Sequence, residues 1–294
     1  MVKYKSNHYV PQWLLNNFKD ENNNLFYWSK DHPEQPIRHR NPTSVFCKNH
    51  LYTIIEKDGT RDTNLEAVKY NKLDGLSKIV FEKIISQART TRKFLLTPHD
   101  REICTYFLYN QMRRTPEFMT EVAGSKYLDD TLEEILSNLA TEIEGLPSLV
   151  REQRESEINR IRSNEAFKQR IFQYGKVNVL KQDSLEILDI IWNRFFAIIR
   201  PEKHHHSFLI GSRPVLRLSF PDRPHLSEPT LEIVMPISHD FALISVGVHD
   251  VERIVNYPTN AVRYLNELTF RQSTEIAGKS LKLISSISGR YASP

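Results

Sequence analysis

His8 and Gln12 flank a Val-Pro pair in the opening stretch "NHYVPQWLLNNF". An imidazole titrates near neutral pH, so His8 is the candidate for general acid–base work. A second polar group closes the run "TPHDREICTYFLYNQMRRTP". There Ile103, Phe107, Asn110, Gln111 and Arg114 recur at helical spacing, on a face that starts apolar and ends polar. A guanidinium so placed suits a bidentate grip on phosphate or an ion pair with one of the 36 acidic residues. Arg113 adds a neighbouring cation, and "SFLIGSRPV" supplies Ser212 and Arg213. The expectation is one concavity that gathers His8, Gln12, Gln111, Arg114 and Ser212 from distant segments. His8 would move a proton there; the alternative is that His8, Tyr9 and Gln12 are hydrogen-bonded supports that pin the N-terminus to the core. Gln12, Gln111, Arg113, Arg114, Ser212 and Arg213 would bind substrate.

Other constellations are weaker. Glu186, Asp189 and Asn193 form one polar stripe at i, i+3 and i+7. Two carboxylates there suit a divalent metal or an acid–base pair, or simply a helix's exposed edge, which is the favoured account. In "RPEKHHHS", His204 and His206 share a face if extended. Arg200 and His205 have the R-x4-H spacing of a large class of helical ribonucleases, although Pro201 points to a helix that is ending. A solvated loop entering a strand is the favoured account. No metal-ligand set is complete, so no metal site is assigned, and no motif names a cofactor. Basic residues cluster at Arg38, His39, Arg40, Arg89, Arg92, Lys93, Arg113 and Arg114, with Tyr106, Tyr109 and Phe118 nearby for stacking.

These residues need elements to hold them. Pro11 fits the first turn of a short helix. "NLFYWS" and "HLYTII" read as strands. Helical spacing runs from Leu65 to Ile84, with Gly75 as an interruption. Thr97, Pro98 and Asp100 make a well-marked helix start, and Pro116 ends that helix. Residues 117–146 continue helically. Residues 147–174 read as a polar helix with alternating charge, a solvated arm or a partner-binding face. "DSLEILDIIWNRFFAIIR" is apolar almost all round and predicts a buried central helix. "HSFLIG", "PVLRLSF", "LEIVMPI" and "FALISVG" then alternate as four strands, and residues 259–286 predict one long closing helix. The fold class is α+β: mostly helical, with a mainly antiparallel sheet of about four to six strands, in a single domain spanning 1–294.

Composition sets limits. The net charge of +4 permits phosphate contact without demanding it. The two cysteines, Cys47 and Cys104, have no metal or disulfide spacing, which suits the cytoplasm. "MVKYKSNHYV" lacks the apolar run of a signal peptide, and no segment is long and apolar enough for a membrane span.

"HYVPQ" resembles the N-terminal signature of a mostly bacterial family of unknown function. "FCKNHLYTI", "YNQMRRTPEF", "SFLIGSRPV", "MPISHDFAL" and "RYLNEL" are similar, in order, to its later segments. Where that family has S-D-N-P, this chain reads "GSRP", so Ser212 and Arg213 replace an acid and an amide. Had the acid been a metal ligand or base, this chain would lack it. The resemblance supplies positions and no mechanism. The basic clusters beside a polar helix face, together with His8, make the leading functional expectation a cytosolic bacterial protein acting on, or binding, nucleic acid, in its sharpest form a nuclease-like effector in phage defence or a toxin setting. Two others stand beside it: a non-catalytic module docking a protein partner through 147–174, and a sensor or enzyme for a phosphate-bearing small molecule.

Overall fold

The computed structural model describes residues 6–56, 58–90, 94–122, 125–218, 225–247 and 253–291. The first part of the chain is short strands joined by tight turns: β1 (Ser6–His8), α1 (Gln12–Asn16), β2 (Leu25–Ser29), β3 (Arg38–Arg40), β4 (Cys47–Asn49), β5 (Ile54–Ile55) and β6 (Arg61–Asp62). A π-helical stretch, Leu65–Tyr70, runs directly into α2 (Asn71–Thr90). The irregularity expected at Gly75 lies at this wider turn instead, and Gly75 sits within α2.

Helix α3 (Pro98–Arg113) begins with the capping box that its sequence predicts. Thr97 Oγ1 accepts from the Asp100 backbone N–H at 3.1 Å, and Asp100 accepts from the Thr97 N–H at 3.0 Å. α4 (Pro116–Val122) and α5 (Ser125–Glu142) follow. The polar segment 147–174 is not one helix. It divides into α6 (Ser148–Ser163) and α7 (Glu165–Lys181) at Asn164, whose side chain caps α7 by accepting from the Phe167 N–H at 3.0 Å.

Helix α8 (Leu185–Trp192) stops well short of the buried rod expected there. Leu185 is 80% exposed, and Glu186, Asp189 and Asn193 lie on the exposed surface. The rest of that apolar run, Phe195–Pro201, is strand β7, paired on both sides. A short run that is apolar throughout suits a strand buried on both faces as well as a buried helix, and here aromatic and β-branched residues take the strand. Then come β8 (Ile210–Gly211), β9 (Leu216–Leu218), β10 (Glu232–Pro236), β11 (Ala242–Val246) and β12 (Ile254–Tyr257). The closing helix is also broken: α9 (Thr259–Gln272) gives way to β13 (Glu275–Gly278) before α10 (Leu281–Tyr291). Ile276 and Ala277 pair with β2 on one side and β8 on the other, and that extended pairing overrides the helical spacing around them.

The fold is α+β, with its strands divided among separate sheets. Five strands run in the order β12-β7-β11-β10-β9, antiparallel except for the β12–β7 pair. Four wholly antiparallel strands run β3-β2-β13-β8. β1 pairs with β4, setting His8 opposite Cys47, and β5 pairs with β6. One apolar cluster links Tyr9, Phe107, Ile198, Leu243 and Ala277, so the N-terminal segment, α3 and the five-stranded sheet share a core. A smaller cluster around Trp28, Phe270 and Ile284 packs the four-stranded sheet against α9 and α10.

Gly211 shows how closely these layers approach. A Cβ there would lie 2.1 Å from Ser273 Oγ, 2.9 Å from Ser273 Cβ and 3.0 Å from Thr269 Cγ2. Gly211→Ala is expected to destabilise the chain by about 1–3 kcal/mol through overpacking. Urea unfolding would measure this, and Ser273→Gly in the same chain should recover part of the loss.

Candidate functional site

The capping box fixes where α3 starts, and sixteen residues later its last turn delivers Gln111 and Arg114 to the interior. Arg114 is 0% exposed. Its Nε donates to Gln111 Oε1 at 2.7 Å and its Nη1 to Asp74 Oδ1 at 2.8 Å. The guanidinium also lies 5.4 Å from the Tyr70 ring centroid and 5.5 Å from that of Phe107, a cation–π arrangement. Gln111 Nε2 donates to the Tyr9 carbonyl at 2.8 Å, and the Tyr52 hydroxyl donates to the Arg114 carbonyl at 2.5 Å. One cation thus ties together α2, α3, the π-helical stretch and the N-terminal segment.

The same centre perturbs its titratable neighbours. Burial works against the Arg114 charge, yet Asp74 holds the guanidinium protonated. Burial pushes the Asp74 carboxyl up, with Arg114 opposing. Burial raises Glu66 to about 7, with Arg114 opposing and Asp74 reinforcing. Burial lowers His8 below its ordinary value; Arg114 reinforces this, while the backbone of Thr43 and Pro42 and the Asp74 charge oppose it. The group therefore brings together an imidazole pushed toward its neutral form, a Glu66 carboxyl lifted to about 7 and the Arg114–Asp74 ion pair. Such perturbed groups are typical of places where protons are held or moved. Gln12 Nε2 lies 3.3 Å from His8 Nδ1.

Ser212 belongs to a different group. Its hydroxyl donates to Glu117 Oε1, which also accepts from Thr274 Oγ1 at 2.9 Å. The Thr274 N–H donates to Ser212 Oγ at 3.0 Å. On the next residue, Glu275 accepts from the Tyr9 and Tyr27 hydroxyls, the latter at 2.5 Å. Burial and the Glu275 charge keep both phenols protonated as donors. The expected single concavity is thus two polar groups. His8, Gln12, Gln111 and Arg114 gather at one, Ser212 stands at the other, and Tyr9 reaches both, by its carbonyl to the first and its hydroxyl to the second.

An open cavity of about 330 Å³ adjoins them between α3, α4 and α8. Gln111 lines it, together with Arg113, Arg213 and Arg217, over an apolar floor that includes Met112, Phe118 and Leu226. Glu121 is the one carboxylate in the lining, and Arg213 Nη2 donates to it at 3.0 Å. Arg113 donates to the Tyr109 hydroxyl and the Val179 carbonyl, with Asp183 at 3.5 Å. His8, Gln12, Arg114 and Ser212 are not in this lining.

Several cations of the expected basic surface are already matched. Arg89 lies 3.6 Å from Asp240 and His39 3.6 Å from Asp20, while Arg38 and Arg40 lie exposed on the edge strand β3. Arg92 and Lys93 fall outside the described residues. Of the aromatics, Phe118 and Tyr109 line the cavity, Tyr109 lying beneath Arg113, and Tyr106 donates to Asp183 at 2.5 Å. Arg200 is on a strand and donates to Asn256 Oδ1 at 2.7 Å, so the helical ribonuclease spacing has no helix to act on. Among the described residues, no group of three or more His, Cys, Asp or Glu is placed to hold a metal ion.

Asp74, Glu66, Glu117, Glu275 and Arg217 were not among the candidates. Asp74 carried a signal: it lies four residues after Tyr70 and seven before Phe81, on the buried stripe of its helix. A carboxylate on such a stripe needs a buried partner.

An α+β protein with a buried Arg–Asp centre beside an arginine-lined cavity is the class that this fold and site define. Residues 6–280 match a family of proteins of unknown function, DUF4238, and the chain belongs to that family. No curated protein and no solved structure matches the chain. Among the described residues, no helix is long and apolar enough to cross a membrane.

Two outcomes follow from the buried centre. Arg114→Ala leaves the partly buried Asp74 without its partner and empties a fully buried position, and should cost about 2–5 kcal/mol in denaturant unfolding, whereas Asp74→Leu with Arg114→Met should cost less. Glu66 has a raised folded pKa, so its stabilising contribution is full below its ordinary value of 4.5 and is lost as pH rises through about 7. Glu66→Gln mimics the protonated form. It should change stability little at pH 4.5 and stabilise by on the order of 1–3 kcal/mol at pH 8, measured as paired unfolding curves.

Proposed function

We propose that the chain binds a phosphate-bearing ligand of the nucleotide class in the cavity between α3, α4 and α8. The observation that carries this is the lining itself: three guanidinium groups against one carboxylate, over an apolar floor. Guanidinium groups favour phosphate through paired, planar hydrogen bonds. The apolar floor, with the half-buried Phe118, suits an aromatic base. A volume of about 330 Å³ is of the size used for small ligands rather than for a length of duplex. Nucleic acid enters this reading as the terminal nucleotide of a strand. Arg114 is enclosed and paired with Asp74, so it serves the site by holding Gln111 rather than by touching a phosphate. His8, outside the lining, is a support of the same wall.

A second reading, the protein-interaction module, draws on a cleft of about 690 Å³ between β5, α6 and α7. Ile55, Ile171 and Tyr174 present exposed apolar surface around it. Tyr174→Glu there should leave nucleotide binding untouched.

Calorimetric titration with adenosine monophosphate and with a 5′-phosphorylated oligonucleotide tests the main reading. Both should bind at low salt and weaken as salt rises, because charge neutralisation releases counterions. Arg213→Glu should weaken both by about tenfold or more, the equivalent of about 1.4 kcal/mol. Salt-independent binding, or affinity unchanged by Arg213→Glu, would sink it. His8→Ala should lower stability by about 1–3 kcal/mol without abolishing binding. An unaltered melting curve with lost activity on an oligonucleotide would instead make His8 catalytic.

A further inference from the structure

A separate cleft of about 340 Å³ opens where the histidine-rich loop after β7 meets the first turns of α9 and α10. His205, His206, Arg263 and Lys282 line it, and no acid does. Two helices of 14 and 11 residues begin there, neither with an acid in its first turn. The start of α9 has no side-chain cap. At α10, Ser280 Oγ accepts only from the Leu283 N–H, at 3.2 Å, among that helix's first donors. Lys282 thus adds a positive charge to the positive end of a helix dipole, which is unfavourable until an anion arrives.

Helix ends alone would not make a site. Two further side chains do. Ser207 lines the cleft at 5% exposure. Its carbonyl accepts from Asn266 Nδ2 at 2.9 Å, but its hydroxyl has no hydrogen-bond partner among the described residues. Arg263 donates through Nε to Glu267 at 3.0 Å, while its Nη2 is enclosed and has no partner. An enclosed guanidinium nitrogen left unpaired is costly, and the Ser207 hydroxyl, on a residue that is otherwise buried, is free to donate into the cleft. An oxyanion in the cleft would accept from Ser207 and from the partly exposed Arg263 guanidinium.

We propose that this cleft binds a small phosphomonoester, its phosphate held by Ser207, Arg263, Lys282 and the N–H groups at the start of α9 and α10. The volume exceeds what a bare phosphate fills, and Thr259, Asn266 and Ser286 offer polar groups to a hydroxylated body. The site is independent of the nucleotide cavity, whose residues are not shared with it.

The test is a titration of the full chain with glycerol 3-phosphate and, separately, inorganic phosphate. It is followed by the imidazole NMR signals of His205 and His206, assigned with His205→Gln and His206→Gln. Glycerol 3-phosphate should shift both rings, in the wild-type chain and in one carrying Arg213→Glu. Lys282→Glu, at an exposed position, should weaken the affinity by about tenfold or more, and Ser207→Ala by a smaller factor. Folding of each variant is checked by its melting curve. Absence of ring shifts, or affinity unchanged by Lys282→Glu, overturns the proposal. Loss of the shifts in Arg213→Glu reassigns the binding to the first cavity. Equal affinity for inorganic phosphate and glycerol 3-phosphate overturns the phosphomonoester assignment, since the body would then contribute nothing.

Discussion

A guanidinium wholly enclosed by protein must have its charge and its donors answered from within, and Arg114 is such a group. Asp74 answers the charge, Gln111 takes one donor, and the Tyr70 and Phe107 rings flank the plane, while Nη2 has no hydrogen-bond partner among the described residues. Each partner belongs to a different stretch of chain or to a different turn of one helix. Meeting the requirement therefore fixes how α2, α3 and the N-terminal segment sit against one another. The capping box at Thr97 and Asp100 matters for the same reason: it sets the start of α3 and so the phase at which Gln111 and Arg114 emerge.

That centre also governs the chemistry around it. The low-dielectric surroundings that make the Arg114–Asp74 pair necessary also lift Glu66 and depress His8. A carboxyl lifted toward neutral pH and an imidazole pushed toward its neutral form are consequences of burial beside an ion pair, whatever their use. Gln111 carries the effect outward. Its side chain bonds Arg114 and Tyr9, and it also lines the arginine-rich cavity. The placement of Gln111 in the cavity wall thus follows from the buried pair, while the half-buried Arg213 and the exposed Arg217 add to its charge.

Glu275 plays the corresponding part on the other side of Tyr9. It sits on β13 between two neighbouring strands and receives two phenolic donors, while Glu117 receives the Ser212 and Thr274 hydroxyls. The four-stranded sheet is therefore fastened to α4 and to the N-terminal segment by carboxylates, with apolar packing from Trp28 and Phe270 behind it. Both polar groups lie within the span shared with the family, and so does the cavity.

The local signals in the sequence were sufficient wherever local physics decides. The α+β class, the start of α3, the strands β10 and β11 and the inward turn of Gln111 and Arg114 follow from period, capping chemistry and polar residues on an apolar face. Periodicity failed at Phe195–Pro201 and Glu275–Gly278, because a short apolar run suits a buried helix or a buried strand equally well, and only neighbouring strands choose. The site divides the same way. That Arg114 needs a partner is legible from its place on the helix; that the partner is Asp74, forty residues away, is not, since any of 36 acids would serve. Ser212 was grouped with His8 by motif order, yet it lies with Glu117, because β8 joins the four-stranded sheet. Spacing along a chain encodes which face a residue occupies. Which faces meet is decided by the packing of distant elements, and the charge state of His8 and Glu66 is decided only after that packing has excluded water.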